Sequence, residues 1–401
     1  MVLHPERASW AEKKGIEIRT DLRGRWKNRI ALYRWARRRL WKDCAPGKIA
    51  SVEPGWKRPE FADYLVANRI FVYSLATKAG NPLFLFGQKL LLLLVAGPFA
   101  LRNLLFNLRL DGPVRRLGMF LMHLGSSETR LASRLQRSVK KKPLPTIFGW
   151  HTLRDDEFSF MVHLSANGLR LVPSHLAGNF SFHSKLPAAI HFRQRHMPPE
   201  SVRLEEDRVY VSFTLSDGDQ LVLMNTAELG NWRRPERGKV PFNWETQPLL
   251  TEIAPALLGM YYETLSPADC LVAGPSGAGY IVPPLHPRLR EYLRETASVC
   301  RKADVRVVSS YIGDPSERVV REHCGTDGDF TGFLSGYVHF GRVPMYRRYN
   351  RVFVANAVPH LDHVGDDCEK TLEAVRGLID APGPLPRFIG VHLFAYRTTI
   401  K

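Results

Sequence analysis

Cys270-Leu-Val-Ala-Gly274 runs directly into Pro275-Ser-Gly-Ala-Gly-Tyr280, and the fold is decided at that junction. A short run that is apolar throughout, with no polar alternate, is what a strand looks like when both of its faces are covered, as in a parallel sheet. Similar β-branched or aromatic runs recur at 146–150, 169–173, 209–215, 240–244, 305–310, 330–334, 352–355 and 388–394, with helical or loop segments between them. Eight or nine such strands over about 250 residues predict a TIM-like (β/α) barrel. A doubly wound open sheet is the alternative. No GxGxxG or P-loop follows any of the runs, which counts against a nucleotide-binding version of either.

Working outward from the barrel, Lys140-Lys-Lys-Pro-Leu-Pro145 is charged and proline-bearing and predicts a linker. It divides a barrel domain over 145–401 from a small α/β domain over 46–140. Before that lies a basic helical arm over 1–45, where Trp26, Ile30, Tyr33, Leu40 and Trp41 are spaced to make one apolar face. The net charge is +18, and the first fifty residues hold fourteen Lys and Arg against five Asp and Glu. Half of the excess therefore sits in one eighth of the chain. The plainest reading is a solvated amphipathic helix; residues 7–48 also offer a contact with an anionic surface. No zinc-finger spacing or RNA-binding aromatic motif accompanies the arm, so no nucleic-acid partner is expected.

Residues 90–101 read LLLLLVAGPFAL between Lys89 and Arg102. The run is too short to span a bilayer, which takes about 20 residues, and a buried helix of the first domain is expected rather than a transmembrane one. No apolar stretch follows Met1, so no signal peptide is expected. The five cysteines are scattered without a CxxC pair, which predicts neither a zinc site nor a disulfide framework. No cofactor and no metal is expected.

In a barrel of this kind the active site lies at the carboxyl ends of the strands. The run 209–215 ends in Ser216-Asp-Gly-Asp-Gln220. Asp217 and Asp219, two apart, face the same way in extended backbone. Two such carboxylates raise one another's proton affinity and suit general acid/base work or a shared cation. The alternative is a turn in which Asp bonds its own backbone. The run 240–244 ends in Trp244-Glu245, a ring beside a carboxylate. A ring can stack on a pyranose while a carboxylate exchanges a proton, and two carboxylates are the minimum for glycoside hydrolysis; a loop-capping Glu is the alternative. The stretch 274–284 holds three glycines and three prolines around Tyr280, a forced backbone. It reads as a loop lining a pocket, or as a set of N–H groups cradling an anion. His360, Asp362 and His363 are metal ligands by type but lack a confirming partner. Ser276 has no assignable His and Asp, and no GxSxG is present.

Ser276-Gly-Ala-Gly-Tyr-Ile-Val-Pro283 resembles the signature of the GxGYxYP family of glycoside hydrolases. Gly277, Gly279, Tyr280 and Pro283 match, and Val282 stands where a second Tyr is expected. Phe213-Thr-Leu-Ser-Asp-Gly-Asp-Gln220 looks like that family's SDGDN strand end, with Gln220 for Asn. Val240-Pro-Phe-Asn-Trp244 with the segment 250–257 resembles its PxxW region. Phe148-Gly-Trp150 with Glu157, and Asn179-Phe-Ser181, resemble the start of its main domain, and residues 48–75 its small N-terminal domain. The resemblance implies a barrel and a carbohydrate substrate. It points to Asp217 and Asp219, with Glu245 as a departure, for catalysis. Trp244, Tyr280, Ser276, Gly277, Gly279, Asn179 and Glu157 are the candidate substrate contacts. The missing second Tyr leaves open a carbohydrate-binding barrel without catalysis.

Overall fold

The computed structural model describes residues 8–17, 21, 24–55, 60–141, 144–151, 157–189, 191–195, 203–216, 221, 230–312, 317–338, 346–349, 352–356, 368–393, 395 and 400. Two sheets organise them. The first half contributes α1 (Ala8–Lys13), α2 (Arg29–Arg39), β1 (Lys48–Val52), α3 (Ala62–Ala67), β2 (Phe71–Tyr73), α4 (Pro82–Ala96), α5 (Phe99–Asn107), α6 (Asp111–Gly125), α7 (Ser127–Ser138), β3 (Thr146–Trp150), α8 (Glu157–Ala166) and β4 (Arg170–Pro173). Its four strands form a parallel sheet in the order β2-β1-β3-β4.

The second half contributes α9 (Phe180–His183), β5 (Val209–Leu215), β6 (Phe242–Thr246), α10 (Leu250–Ile253), α11 (Pro255–Glu263), β7 (Asp269–Ala273), α12 (Leu289–Lys302), β8 (Val307–Ile312), α13 (Glu317–Cys324), β9 (Gly332–Val338), β10 (Tyr346–Tyr349), β11 (Val352–Asn356), α14 (Cys368–Asp380) and β12 (Arg387–Leu393). The order is β10-β11-β9-β8-β7-β6-β5-β12. Only β10 runs antiparallel, against β11. The last strand returns to pair with β5 along its full length, Arg387 to Leu393 beside Val209 to Leu215. The sheet therefore curls until β11 and β12 approach one another without a ladder between them. The result is a nearly closed parallel barrel with helices on its outside.

Two expectations change. The runs at 146–150 and 169–173 are not the opening strands of the barrel; as β3 and β4 they pair in the first sheet. Their side chains are covered on both faces, as expected, but coverage does not say which sheet a strand joins. Along β1 and β3, Ile49 and Ile147 pack into the helical layer, while Ala50, Val52 and Phe148 join the core shared with the barrel. The described residues just ahead of β3 are tied down rather than loose. The Lys140 amide bonds to the Pro46 carbonyl, and Leu144 is buried with its amide on Glu295.

The Leu-rich helix is the second. Asn81 caps α4 by accepting from the Leu83 amide, Pro82 takes the first turn, and Gly97 ends it. Pro at the first helical position and an Asn cap are favoured because the first N–H groups have no partner inside the helix. Phe84, Leu91, Leu94 and Val95 are buried, but Leu83, Leu85, Phe86 and Leu92 are exposed. The helix is thus half covered, not buried throughout. No single helix among the described residues is long and apolar enough to cross a membrane.

Candidate active site

The Gly-rich loop leaves the carboxyl end of β7 and crosses to the first sheet. Ser276, Gly277 and Gly279 all have positive φ, at 75°, 120° and 89°. At that φ glycine carries no steric penalty, whereas a side chain is strained. A Cβ on Gly277 would also overlap the Thr296 side chain of α12. The loop's polar groups are consumed along its length. The Ser276 amide donates to the Ser309 carbonyl at 2.7 Å, the Ala278 amide to Thr296 Oγ1 at 3.1 Å and the Gly279 amide to Gln247 Oε1 at 3.0 Å. Ser276 Oγ donates to the Ile281 carbonyl, the Tyr292 hydroxyl to the Gly279 carbonyl, and the Val282 amide to Ser165 Oγ. Tyr280 and Leu171 exchange both backbone bonds, 2.7 and 2.9 Å, as an antiparallel bridge on β4. An anion cradle needs several free N–H groups together, and those of Ser276, Ala278, Gly279, Tyr280 and Val282 are taken. The stretch is a buried clasp between the two sheets, with Ser276, Gly277 and Gly279 inside it rather than on a pocket wall.

Tyr280 points from the clasp to the carboxyl end of the first sheet. Its hydroxyl donates to Glu157 Oε1 at 3.1 Å at the start of α8. Its ring stacks against Trp150 at 6.0 Å, and Trp150 stacks against His175 at 5.5 Å. Two of the residues expected from sequence, Tyr280 and Glu157, are thus brought together. His175 and His151, beside them, are not among the residues that the sequence singles out. Each follows the last residues of a strand, His151 after β3 and His175 two residues past β4, so the rule that puts chemistry at strand ends would have found both. His151 Nε2 lies 2.8 Å from Ser51 Oγ, and its ring stacks on Phe160. Burial holds the His175 imidazole down at about 4, so it is neutral at pH 7. Between β1 and β3 the strand order of the first sheet reverses direction, and such switch points are where open α/β sheets bind ligands. A cavity of about 700 Å³ opens on the other side of β1, past the carboxyl ends of β1 and β2, lined by Arg29, Tyr33, Gly55, Ser74 and Lys78 among others.

In the barrel, Trp244 and Glu245 face opposite ways, as neighbours in a strand must. Trp244 is 0 % exposed. Its ring packs on Trp232 and Phe242, and its indole N–H donates to Asp269 Oδ1 at 2.8 Å. A ring with no free face cannot stack on a sugar, so that expectation is corrected. Glu245 takes the interior side and is 1 % exposed. A Cβ on Gly274 would lie 2.5 Å from its carboxyl carbon, so the first glycine of the clasp leaves room for this carboxylate. On the same side, Asn243 Nδ2 donates to Ser212 Oγ at 2.7 Å, and Thr214 stands level with Asn243 and His392 on the adjacent strands. Leu215 pairs with Trp244, so β5 ends level with Trp244, one residue short of Glu245; Asp217 and Asp219 lie outside the described residues, as do His360, Asp362 and His363. Asn179 is exposed and left-handed, φ 53°, at the start of α9, where its side chain makes no cap bond. Among the described residues no group of three or more His, Cys, Asp or Glu is arranged to hold a metal ion.

A curled parallel sheet clasped to a smaller one, with a buried carboxylate at the end of a central strand, defines a barrel protein with a second parallel sheet at its side. The model described as "GxGYxYP putative glycoside hydrolase C-terminal domain" matches residues 207–335, and that of the "GxGYxYP third domain" matches 98–185. Together they cover more than half of the chain, which belongs to the GxGYxYP family. The C-terminal match begins just ahead of β5, and the other takes in β3 and β4. A solved structure, described as a "putative hydrolase" from Bacteroides thetaiotaomicron VPI-5482, has the same fold. It is 18 % identical with a TM-score of 0.68, over 98 % of this chain and 68 % of that one. No curated relative matches the sequence.

Proposed function

We propose that this chain hydrolyses glycosidic bonds in a carbohydrate, with Glu245 and one of Asp217 and Asp219 exchanging the protons. The observation that carries the reading is Glu245: a carboxylate turned to the barrel interior at the carboxyl end of β6, against Gly274, where β7 leads into the loop that bears the signature. A carboxyl group held out of bulk water beside a second carboxylate can act as acid while its partner acts as base or nucleophile. Tyr280 orients the substrate through the Glu157–Tyr280 pair, with Trp150 as the neighbouring ring.

The alternative of a carbohydrate-binding barrel without catalysis rests on Val282. That residue is buried in the apolar core around the first sheet, so the change from Tyr alters packing there. The test is release of reducing sugar from a broad panel of oligo- and polysaccharides. On a glycan that the native chain cleaves, Glu245→Gln and one of Asp217→Asn and Asp219→Asn are expected to lower kcat by about 100-fold or more. Unchanged turnover in all three variants would remove the proposed carboxylates from the reaction. Binding of a glycan without any product would favour the silent barrel.

A further inference from the structure

Helices α4 and α6 lie antiparallel, closely apposed where Gly87 meets Gly118; a Cβ on either would overlap the other's carbonyl. On the side away from the core they show a continuous apolar surface: Leu83 and Phe86 from α4, and Leu117, Phe120 and Leu124 from α6. Leu117 is 50 % exposed and Phe120 56 %. Helical spacing puts each set on one stripe, and α5 adds exposed Leu104 at the end of the pair. Soluble monomers rarely leave an apolar patch of this breadth open, and such patches mark interaction sites.

The charge around it has one sign. Between Pro82 and Gly125 the basic residues are Lys89, Arg102, Arg109, Arg115 and Arg116, and the only acidic one is Asp111. Asp111 is itself held by Arg318 at 2.6 Å. Helix α7 presents exposed Arg130, Arg134 and Arg137 on one face. Where α6 and α7 meet the start of α12, a hollow of about 540 Å³ is lined by Arg115, Arg116, Arg137, Lys141 and Arg288, with Phe120 at its edge and no carboxylate among the described residues of its wall. Glu291 pairs with Arg288 from outside that wall, at 3.1 Å. Burial, and then Arg137, Arg130 and Arg134, hold the nearby His123 imidazole down at about 4. The positive potential of the hollow is therefore not offset by an anion in its lining.

We propose that this face docks the chain onto the interface of an anionic phospholipid bilayer, the apolar stripes of α4 and α6 entering the acyl boundary and the basic hollow taking a phosphate headgroup. An apolar stripe bordered by arginines is the arrangement by which helices lie in a membrane surface without spanning it, and each Lys or Arg near such a surface adds to the attraction. A second copy of this chain would set arginine against arginine at the rim, and a bilayer rich in phosphate would not.

The test is co-sedimentation of the full chain with vesicles of phosphatidylcholine alone or with roughly 30 mol% phosphatidylglycerol. Binding to the anionic vesicles is expected to be at least about tenfold tighter, and to weaken as salt screens it. Leu117→Asp with Phe120→Asp, and separately Arg116→Glu with Arg137→Glu, should each reduce it by about tenfold or more. All four side chains are solvent-facing, so circular dichroism should show both variants folded. Arg37→Glu with Arg38→Glu, in the basic arm, should leave binding in place. Equal binding to both vesicle types, or loss only in the Arg37 and Arg38 variant, would overturn the proposal. So would a dimer in sedimentation velocity that Phe120→Asp dissolves while vesicles go unbound.

Discussion

The pairing of Tyr280 with Glu157 depends on one hydroxyl. Tyr280→Phe keeps the ring against Trp150 and removes the donor to Glu157. A hydrogen bond to a charged acceptor is worth about 1.5–3 kcal/mol, and the variant is expected to lose about that much. The measurement is urea unfolding, in which the midpoint should fall while the slope stays unchanged. At this scale the sequence is legible in part. Tyr280 and Glu157 both stand out in the family's motifs, and in the fold they meet. Trp244 and Glu245 show the limit, because adjacent residues of a strand take opposite faces and the run itself carries no label saying which faces the helices. The strand ends on either side, Val272 and Ala273 of β7 and Thr214 and Leu215 of β5, are buried on both faces, so periodicity could not decide the matter.

At the level of elements, the Gly-rich stretch is conspicuous for its composition, and its role turns on where its N–H groups point. Glycines that approach an anion and glycines that approach a helix look alike in sequence. Gly277→Ala tests the clasp directly. The added methyl meets Thr296 of α12, at a φ of 120° that a side chain tolerates poorly. Overpacking and backbone strain of this kind each cost about 1–3 kcal/mol, so the variant should lower the urea midpoint by several times more than Ala at an open glycine such as Gly47. The apolar runs locate the strands at nearly the right places, yet they put β3 and β4 in the wrong sheet. A strand covered on both faces reads the same whether its neighbours are β1 or β5, and only the pairing partners differ.

The whole molecule buries His286 and His323. His323 packs between Phe330 and Phe333, 5.0 and 4.4 Å away. Burial, joined at His286 by Arg288 and Arg115, depresses both imidazoles to about 3. In the unfolded chain they take up protons near 6.5. Below that pH the unfolded state binds more protons, so stability is fully present above about 6.5 and is lost as pH falls toward 3. Each such histidine removes about 1.4 kcal/mol per pH unit across the window, and the pair about 4 kcal/mol between pH 6.5 and 5. Urea midpoints at pH 7 and pH 5 should differ accordingly, and His323→Phe should narrow the gap. A flat profile would mean that these side chains reach water. The clasp has a consequence for the order of synthesis as well. Tyr280 completes the outer edge of β4, whose Leu171 precedes it by more than a hundred residues. Until the ribosome has delivered that loop, the first sheet carries an unfinished border, open to pairing with another nascent chain. The amino-terminal half is therefore expected to mature only when the barrel half has emerged to seal it.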